Sequence, residues 1–385
     1  MKHYDVIIIG AGAAGLAAAG ELVYRGRRTL ILDMGGAPAR KVAVSGGGNC
    51  NITNMAAGIG QYFGENPNFV RGALSRVRPS DVLDWCKNHN IKLYEKTPGR
   101  YFCADGAATV VTALLQDATG TDIKYEHTVE SVAQQDDKFV VYANKKEFVS
   151  ESLIIATGGI SFGTLGVSDT GHKIAKQFGH KIVPMRPALC AMAIPMFGPE
   201  LAGISLDAEI TVGREKMHDA ILFTHFGIGG PVTYRASVRD ISNGITINLC
   251  PGVDIFDMLK GAKRTNGKRN TSTILSEYLP VRVAKYFTNN DTRNIADWRD
   301  IEIRELSDKI NRVQINARDI KLHNMQSAEI VRGGVSTDDI SSKTMESKLC
   351  PGLFFAGEVL DIAGDLGGFN LQWAWASGRI AGQNA

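Results

Sequence analysis

A chain of 385 residues that is 44% hydrophobic can bury a large core, and its length suggests two or three domains. Forty-three Lys and Arg against forty Asp and Glu leave a formal charge of +3, with no global field to recruit nucleic acid or an anionic membrane, and no run of eighteen apolar residues could span a bilayer. Six scattered cysteines without a Cys-x-x-Cys spacing, and no export leader ahead of the first strand, point to a reducing cytoplasm and exclude a dithiol–disulfide reductase. No His-Glu-x-x-His or paired Cys and His offers a metal site.

In chain order, Val6 to Ile9 form a β-branched, continuously apolar run, as expected of a strand covered on both faces. It leads into Gly10-x-Gly12-x-x-Gly15 and a helix over Leu16 to Tyr24, and a second strand, Thr29 to Leu32, ends on Asp33. The spacing is that of a dinucleotide site. Gly10 makes the turn, Gly12 admits a pyrophosphate, Gly15 permits close helix packing, and the acid meets the adenosine ribose. After the glycine-rich segment from Arg40 to Asn54 come a helix over Pro79 to Asn90 and a strand over Ile123 to Val132. That strand is expected to pair with Phe139 to Tyr142 and Glu147 to Val149. A buried strand from Ser152 then ends in Ala156-Thr157-Gly158.

From Pro187 the texture changes. Strand patterns over Ala191 to Pro195, Ser205 to Val212, Ala220 to Thr224 and Gly244 to Leu249 suggest a β-barrel-like part over 189–252. Helices over Met258 to Ala262, Thr273 to Tyr286 and Ile303 to Arg312 fill 253–321. The β pattern resumes near Lys321, Leu353 opens another buried strand, and the last helix covers Asn370 to Gly382. The expected organisation is an α/β nucleotide-binding domain made of 1–188 and 322–385, with 189–321 inserted.

Two further glycine segments bear on the cofactor. Ser45-Gly46-Gly47-Gly48-Asn49-Cys50-Asn51, preceded by Arg40 and Lys41, is dense in amides and low in bulk, suited to run along a phosphate and a polyol chain. Ala356-Gly357-Glu358 through Gly368-Phe369-Asn370-Leu371 places a strand end, glycines and a helix start in series, aimed at the pyrimidine edge of an isoalloxazine. NAD needs no such second cradle, so the bound cofactor reads as FAD. The only other glycine cluster after a strand, His225 to Pro231, is cut by Pro231, and the next strand ends in Cys250 and Pro251 without an acid. NAD(P)H is therefore expected only as a transient reductant.

These segments, with Phe223-Thr-His-Phe-Gly-Ile-Gly-Gly-Pro231, together resemble the YhiN/BaiN-like flavoproteins over essentially the whole chain. That family also includes proteins described as aminoacetone oxidases. The resemblance implies a Rossmann-like, glutathione-reductase-type FAD domain interrupted by the β-barrel-like and helical insert. It implies Gly10, Gly12, Ala14 and Gly15 on the pyrophosphate, Asp33 on the ribose, and Arg40, Lys41, Ser45 and the Gly46 to Asn51 loop along phosphates and flavin. Val129 would offer its backbone to adenine, Glu358 would lie near the ribityl chain, and Thr157, Gly158, Gly357, Gly368, Phe369, Asn370 and Leu371 would complete the cradle. Asn49 stands where an Arg is common and Phe369 where a Tyr is usual, so an anionic substrate pocket is not carried over.

For catalysis the sequence offers Cys50 and His225 as candidates, although a buried structural thiol and a packed histidine are the plainer readings. The expected activity is hydride transfer through flavin N5, as an NAD(P)H-linked reductase of a small unsaturated or carbonyl substrate. An aminoacetone-like amine oxidase releasing peroxide is an alternative, as is a redox sensor without turnover that uses the basic cluster Lys260, Lys263, Arg264, Lys268 and Arg269. A small-molecule substrate is expected, with no nucleic acid and no membrane partner.

Overall fold

Residues 2–385 are described by a computed structural model, the Lys2 side chain excepted. They divide into two units, one of residues up to Arg186 with Met325–Ala385, the other Pro187–Asn324.

The first unit is organised by a mixed seven-stranded sheet whose centre is parallel. Lys2–Ile9 lies between Thr29–Leu32 and Lys146–Ile155, with Val6 opposite Thr29 and Ser152. Asp122–Lys124 continues the sheet beyond Thr29–Leu32, and Leu353–Phe355 lies beside Leu153–Ile155. The central stretches of these strands are continuously apolar because both faces are covered: Val6 to Ile8, Leu30 to Leu32, and Leu153 to Ile155 are fully buried. Against this sheet the Ala13–Tyr24 helix packs on Phe369–Asn384 through small residues. A Cβ on Gly378 would lie 2.3 Å from the Ala14 carbonyl oxygen, and one on Gly382 would lie 2.4 Å from that of Ala18.

Two strand expectations change here. The stretch 123–132 is two strands, Asp122–Lys124 and Val129–Gln135, because Glu126 (φ +54°) turns the backbone so that its amide reaches Gly35 and that of His127 reaches Asp33. Conversely, Glu147–Val149 and the strand from Ser152 are one element, Lys146–Ile155. Residues 146–150 pair antiparallel with Lys138–Ala143, and 153–155 pair parallel with Leu353–Phe355. The polar Ser150-Glu151-Ser152 break in its apolar pattern marks the change of neighbour, while pairing to Lys2–Ile9 runs on unbroken.

In the second unit a seven-stranded antiparallel sheet stands where the β-barrel-like part is expected. Its order is Val313–Ile315, Ile245–Asn248, Ser205–Val212, Glu215–Thr224, Gly227–Gly229, Met192–Ala193, Lys321–Leu322. Ile255–Thr265, Thr271–Leu275, Val281–Phe287 and Asp300–Asn311 supply the helices. The single helix expected over Thr273 to Tyr286 is split, since Pro280 has no N–H to continue one helix and instead starts the next. Most of the basic cluster is neutralised within this unit: Lys260 and Lys263 pair with Asp300, and Arg269 pairs with Glu277.

Pro231 does not end the Gly-rich turn as expected; it opens a helix, Pro231–Ser237. What separates this turn from a dinucleotide site is the sheet. Gly227–Gly229 pairs antiparallel with both neighbours, whereas such a site needs a parallel crossover unit.

Candidate flavin-binding site

At the phosphate end the three glycines do different things. Gly10 (φ +110°) passes so close to the next strand that a Cβ would be 2.4 Å from the Ala156 carbonyl oxygen, and a Cβ on Gly15 would be 1.9 Å from that of Gly10. A Cβ on Gly12 would meet nothing within 4 Å, so this face opens on free space. The Ala13–Tyr24 helix starts there with no capping side chain and no acid in its first turn. Its first amides and the positive end of its dipole are left for an anion.

Asp33 holds the turn from below. Its Oδ2 accepts from the Ala11 amide at 2.7 Å, its Oδ1 accepts from Gly35 at 2.7 Å, and Arg40 Nη2 lies 3.2 Å away. Arg40 also donates to the carbonyls of Leu165 and Gly166. Val129 begins its strand two residues past His127, whose amide donates to the Asp33 carbonyl at 2.8 Å, and pairs with Ala143.

The segment read as a loop from Arg40 contains a short helix, Arg40–Val44, and then a tight turn in which Gly46, Gly47 and Gly48 all have positive φ. From there Asn51–Asn54 is clamped to the C-terminal segment. Asn54 Nδ2 donates to the Gly367 carbonyl at 2.8 Å, Thr53 Oγ1 to Gln372 Oε1 at 2.5 Å, and Trp375 Nε1 to the Ile52 carbonyl at 2.9 Å. Gly368 (φ +95°) is pressed against Thr53 and starts the Phe369–Asn384 helix, which again has no capping side chain and no acid in its first turn.

Other expected residues serve this junction from behind. Asn370 clasps Gly364, accepting from its amide at 2.8 Å and donating to its carbonyl at 3.0 Å. Phe369 is buried edge-on to Tyr62, and Leu371 packs on the core. Gly357 (φ +78°) donates to Ser377 Oγ at 2.9 Å and accepts from Trp373 Nε1 at 3.1 Å. The Asn49 carbonyl accepts from the Cys103 amide at 2.8 Å, and Ser45 Oγ donates to the Val42 carbonyl. Thr157 packs on Gly171, while Gly158, like Gly47 and Gly48, would point a Cβ into open space.

Neither catalytic candidate gains support as a reactive group. Cys50 is fully buried and burial pushes its thiol up to about 12, so it stays protonated at neutral pH. His225 is exposed on the other unit, in the turn between Glu215–Thr224 and Gly227–Gly229.

Sequence reasoning missed a polar knot. Lys41 Nζ lies 2.9 Å from Glu358 Oε2 and donates to Ser161 Oγ at 2.8 Å; Glu358 Oε1 accepts from the Val331 amide at 2.9 Å. Buried Ser161 in turn donates to the Glu329 carbonyl at 3.2 Å. The only signal was a glycine pair, Gly158-Gly159, shortly ahead of Ser161 after a buried strand.

An extended dinucleotide with a flavin fits what is present. Two helix starts are uncapped, Gly12, Gly47, Gly48 and Gly158 leave open space, and buried Asn51 Oδ1 accepts no hydrogen bond within the protein. Residues 4–384 match the family described as HI0933-like protein Rossmann domain. The chain belongs to that family, an FAD-binding one, and is an FAD-dependent oxidoreductase.

It is 35% identical to the ribosomal RNA dihydrouridine synthase of Escherichia coli (strain K12), over 100% of this chain and 98% of that protein. It is 36% identical to the protein of the same name in Haemophilus influenzae, over 98% and 97%. The 3-dehydro-bile acid delta(4,6)-reductase of Clostridium scindens is 27% identical over 98% of each chain. In fold it matches 3-ketosteroid delta1-dehydrogenase from Sterolibacterium denitrificans, with a TM-score of 0.51, 12% identity and 99% of both chains covered. Two relatives named for work on ribosomal RNA mean that a charge of +3 does not exclude nucleic acid, because net charge says nothing of a local contact surface. Among the described residues no helix is long and apolar enough to cross a membrane.

Proposed function

We propose that this flavoprotein reduces a carbon–carbon double bond conjugated to a carbonyl, that the bond is C5=C6 of a uridine in ribosomal RNA, and that NAD(P)H is the transient reductant. Full-length identity of 35–36% with two ribosomal RNA dihydrouridine synthases carries the reading. The more distant bile acid reductase supports the chemistry rather than the substrate. Dihydrouridine is uridine saturated next to its C4 carbonyl, and a 3-dehydro delta(4,6) compound likewise has its double bonds in conjugation with a ketone. One reaction class covers both.

Bound FAD supplies the hydride. The chain's residues would hold and polarise it: the Ala13–Tyr24 helix start would bind the pyrophosphate, and Asp33 and Val129 would bind the adenosine. The uncapped Phe369–Asn384 helix start would meet the pyrimidine edge, where its dipole would favour the negative charge of the reduced ring. The Lys41–Glu358 pair would steady the middle of the cofactor.

The test is anaerobic. Enzyme reduced with NADH or NADPH is mixed with ribosomal RNA lacking dihydrouridine, and the nucleosides are analysed by mass spectrometry. Dihydrouridine formed at one position, with reoxidation of the flavin, is the expected result. Reduced flavin that ignores the RNA but bleaches a small enone would replace the substrate assignment. Rapid peroxide release with aminoacetone would overturn the reaction class.

A further inference from the structure

A strand hairpin beside the expected flavin loop carries an exposed aromatic ring and three cations. Leu93–Thr97 and Arg100–Cys103 join Asn51–Asn54 in a three-stranded sheet, with Leu93–Thr97 at the free edge. Directly opposed residues share a face, so Asn51, Phe102 and Tyr94 form one row across the three strands. The row runs from the cofactor site to solvent. Asn51 Oδ1 is the buried acceptor without a partner, and Phe102 closes on the triple-glycine turn, its Cε1 2.9 Å from where a Cβ of Gly46 would sit. Tyr94 stacks on Phe102, with ring centroids 5.6 Å apart and planes 25° from parallel, and is itself 38% exposed. Lys96, two residues on and on the same face, holds its ammonium 5.8 Å from the Phe102 ring centroid. Lys92 is exposed just ahead of the strand. Arg100 reaches back to the flavin end, its Nε 2.7 Å from where a Cβ of Gly367 would lie, one residue before Gly368 starts the uncapped last helix. Among the described residues no acid pairs with these three cations. The one acid between them in sequence, Glu95, accepts from the Gly99 amide that closes the hairpin.

We propose that the Leu93–Cys103 hairpin is a docking surface for single-stranded RNA, in which a base stacks on Tyr94 while Lys92, Lys96 and Arg100 meet the phosphates on either side. The inference rests on the ribosomal RNA reading above and names the surface that would bring the RNA to the flavin. Bases of a single strand stack on exposed aromatic rings, and every base has a face to offer, so the platform needs no group that reads sequence. A duplex is a poor occupant because its bases already stack on one another. Another protein strand is a poor occupant too. Tyr94 to Thr97 are all exposed, and the charges of Glu95 and Lys96 among them are of the kind that keep foreign strands off a sheet edge, whereas a phosphate is drawn to lysine. A uridine must leave its own stack to reach a flavin, and a ring in the same row as Asn51 offers its neighbour in the RNA a replacement for the stacking lost. Two strand spacings, about 10 Å, separate Tyr94 from Asn51, so the stacked base and the reacting one would lie close along the RNA.

The experiment uses FAD-loaded protein and two probes, a short single-stranded uridine oligonucleotide carrying 4-thiouridine and an RNA duplex of equal length, with binding read by fluorescence anisotropy over a range of salt. Wild type is expected to prefer the single strand, and ultraviolet crosslinking should place the thiouridine on Leu93–Cys103. Tyr94→Ala should weaken single-strand binding about tenfold, with most of the affinity kept in Tyr94→Phe. Lys96→Gln should flatten the slope of log affinity against log salt by roughly 0.7. Both Tyr94→Ala and Lys96→Gln should keep their FAD and be bleached by NAD(P)H at the wild-type rate, since neither side chain is expected on the cofactor. Loss of FAD in step with RNA affinity would make the hairpin a matter of folding and overturns the proposal. Unchanged binding in Tyr94→Ala overturns it as well, as do crosslinks confined to other segments, or self-association that protects Leu93–Thr97 from deuterium exchange and excludes RNA. Dihydrouridine formation separates this inference from the one beneath it. RNA held on the hairpin but never reduced defeats the substrate reading alone, whereas RNA bound and reduced by Tyr94→Ala as by wild type defeats this one alone.

Discussion

Three helices of the insert and the two helices at the expected cofactor ends start differently. In the insert, Asp254 accepts from the Asp257 amide at the start of Ile255–Thr265, Asn270 accepts from Ser272 at the start of Thr271–Leu275, and Glu302 accepts from the Arg299 amide at the start of Asp300–Asn311. In the first unit the Ala13–Tyr24 and Phe369–Asn384 helices start on glycine with neither cap nor acid. A helix start leaves amides that something must satisfy, so side chains finish these three insert helices and a bound ligand would finish the other two.

The largest break in this contrast comes from the packing that aims the bare helices. Gly378→Val would put side-chain atoms against the Ala14 backbone and should cost about 3 kcal/mol or more in chemical denaturation, with flavin absorbance lost on gel filtration. A variant that retains yellow colour at wild-type stability would show that the close approach does not position the site. Next, Glu358→Ala leaves Lys41 and the Val331 amide without their partner and should weaken FAD about tenfold, roughly 1–2 kcal/mol, measured by equilibrium dialysis.

Removing a cap from the insert should act on stability alone. Asn270→Ala is expected to cost about 1 kcal/mol and leave FAD affinity unchanged. Any matching loss of flavin would dissolve the contrast.

The smallest effect near neutrality is one of pH. His172 and His180, both in the first unit, are buried, and burial lowers their pKa from 6.5. Above that value both states are neutral and nothing is gained or lost. As pH falls below it the unfolded chain binds protons that the folded chain refuses, so stability declines down to the folded pKa values. Urea midpoints at pH 7.5 and 5.5 should show the decline; equal midpoints would remove these histidines as its source.

Local signals carried much of this. Strand, glycine turn, helix and Asp33 could be read directly because their spacing lies within one short strand-helix-strand stretch, and the apolar runs 6–9, 153–155 and 353–355 are buried. What could not be read was partnership. Nothing in the 146–155 sequence says that one strand serves two neighbours, and Asn370, expected at the ring, spends its amide on Gly364. The knot of Lys41, Ser161, Glu329 and Glu358 escaped for the same reason, since its members come from four segments with no spacing to betray them.

The sequence by itself determined the cofactor class, because phosphate and flavin impose requirements on short stretches of backbone that only glycines and helix starts meet. Tertiary structure alone decided which residues share a site. Asn51 meets Gly368, and Lys41 meets Glu358, only once the sheet and the Ala13–Tyr24 and Phe369–Asn384 helices have packed, and hydrogen bonds and charges act over a few ångströms whatever the distance along the chain.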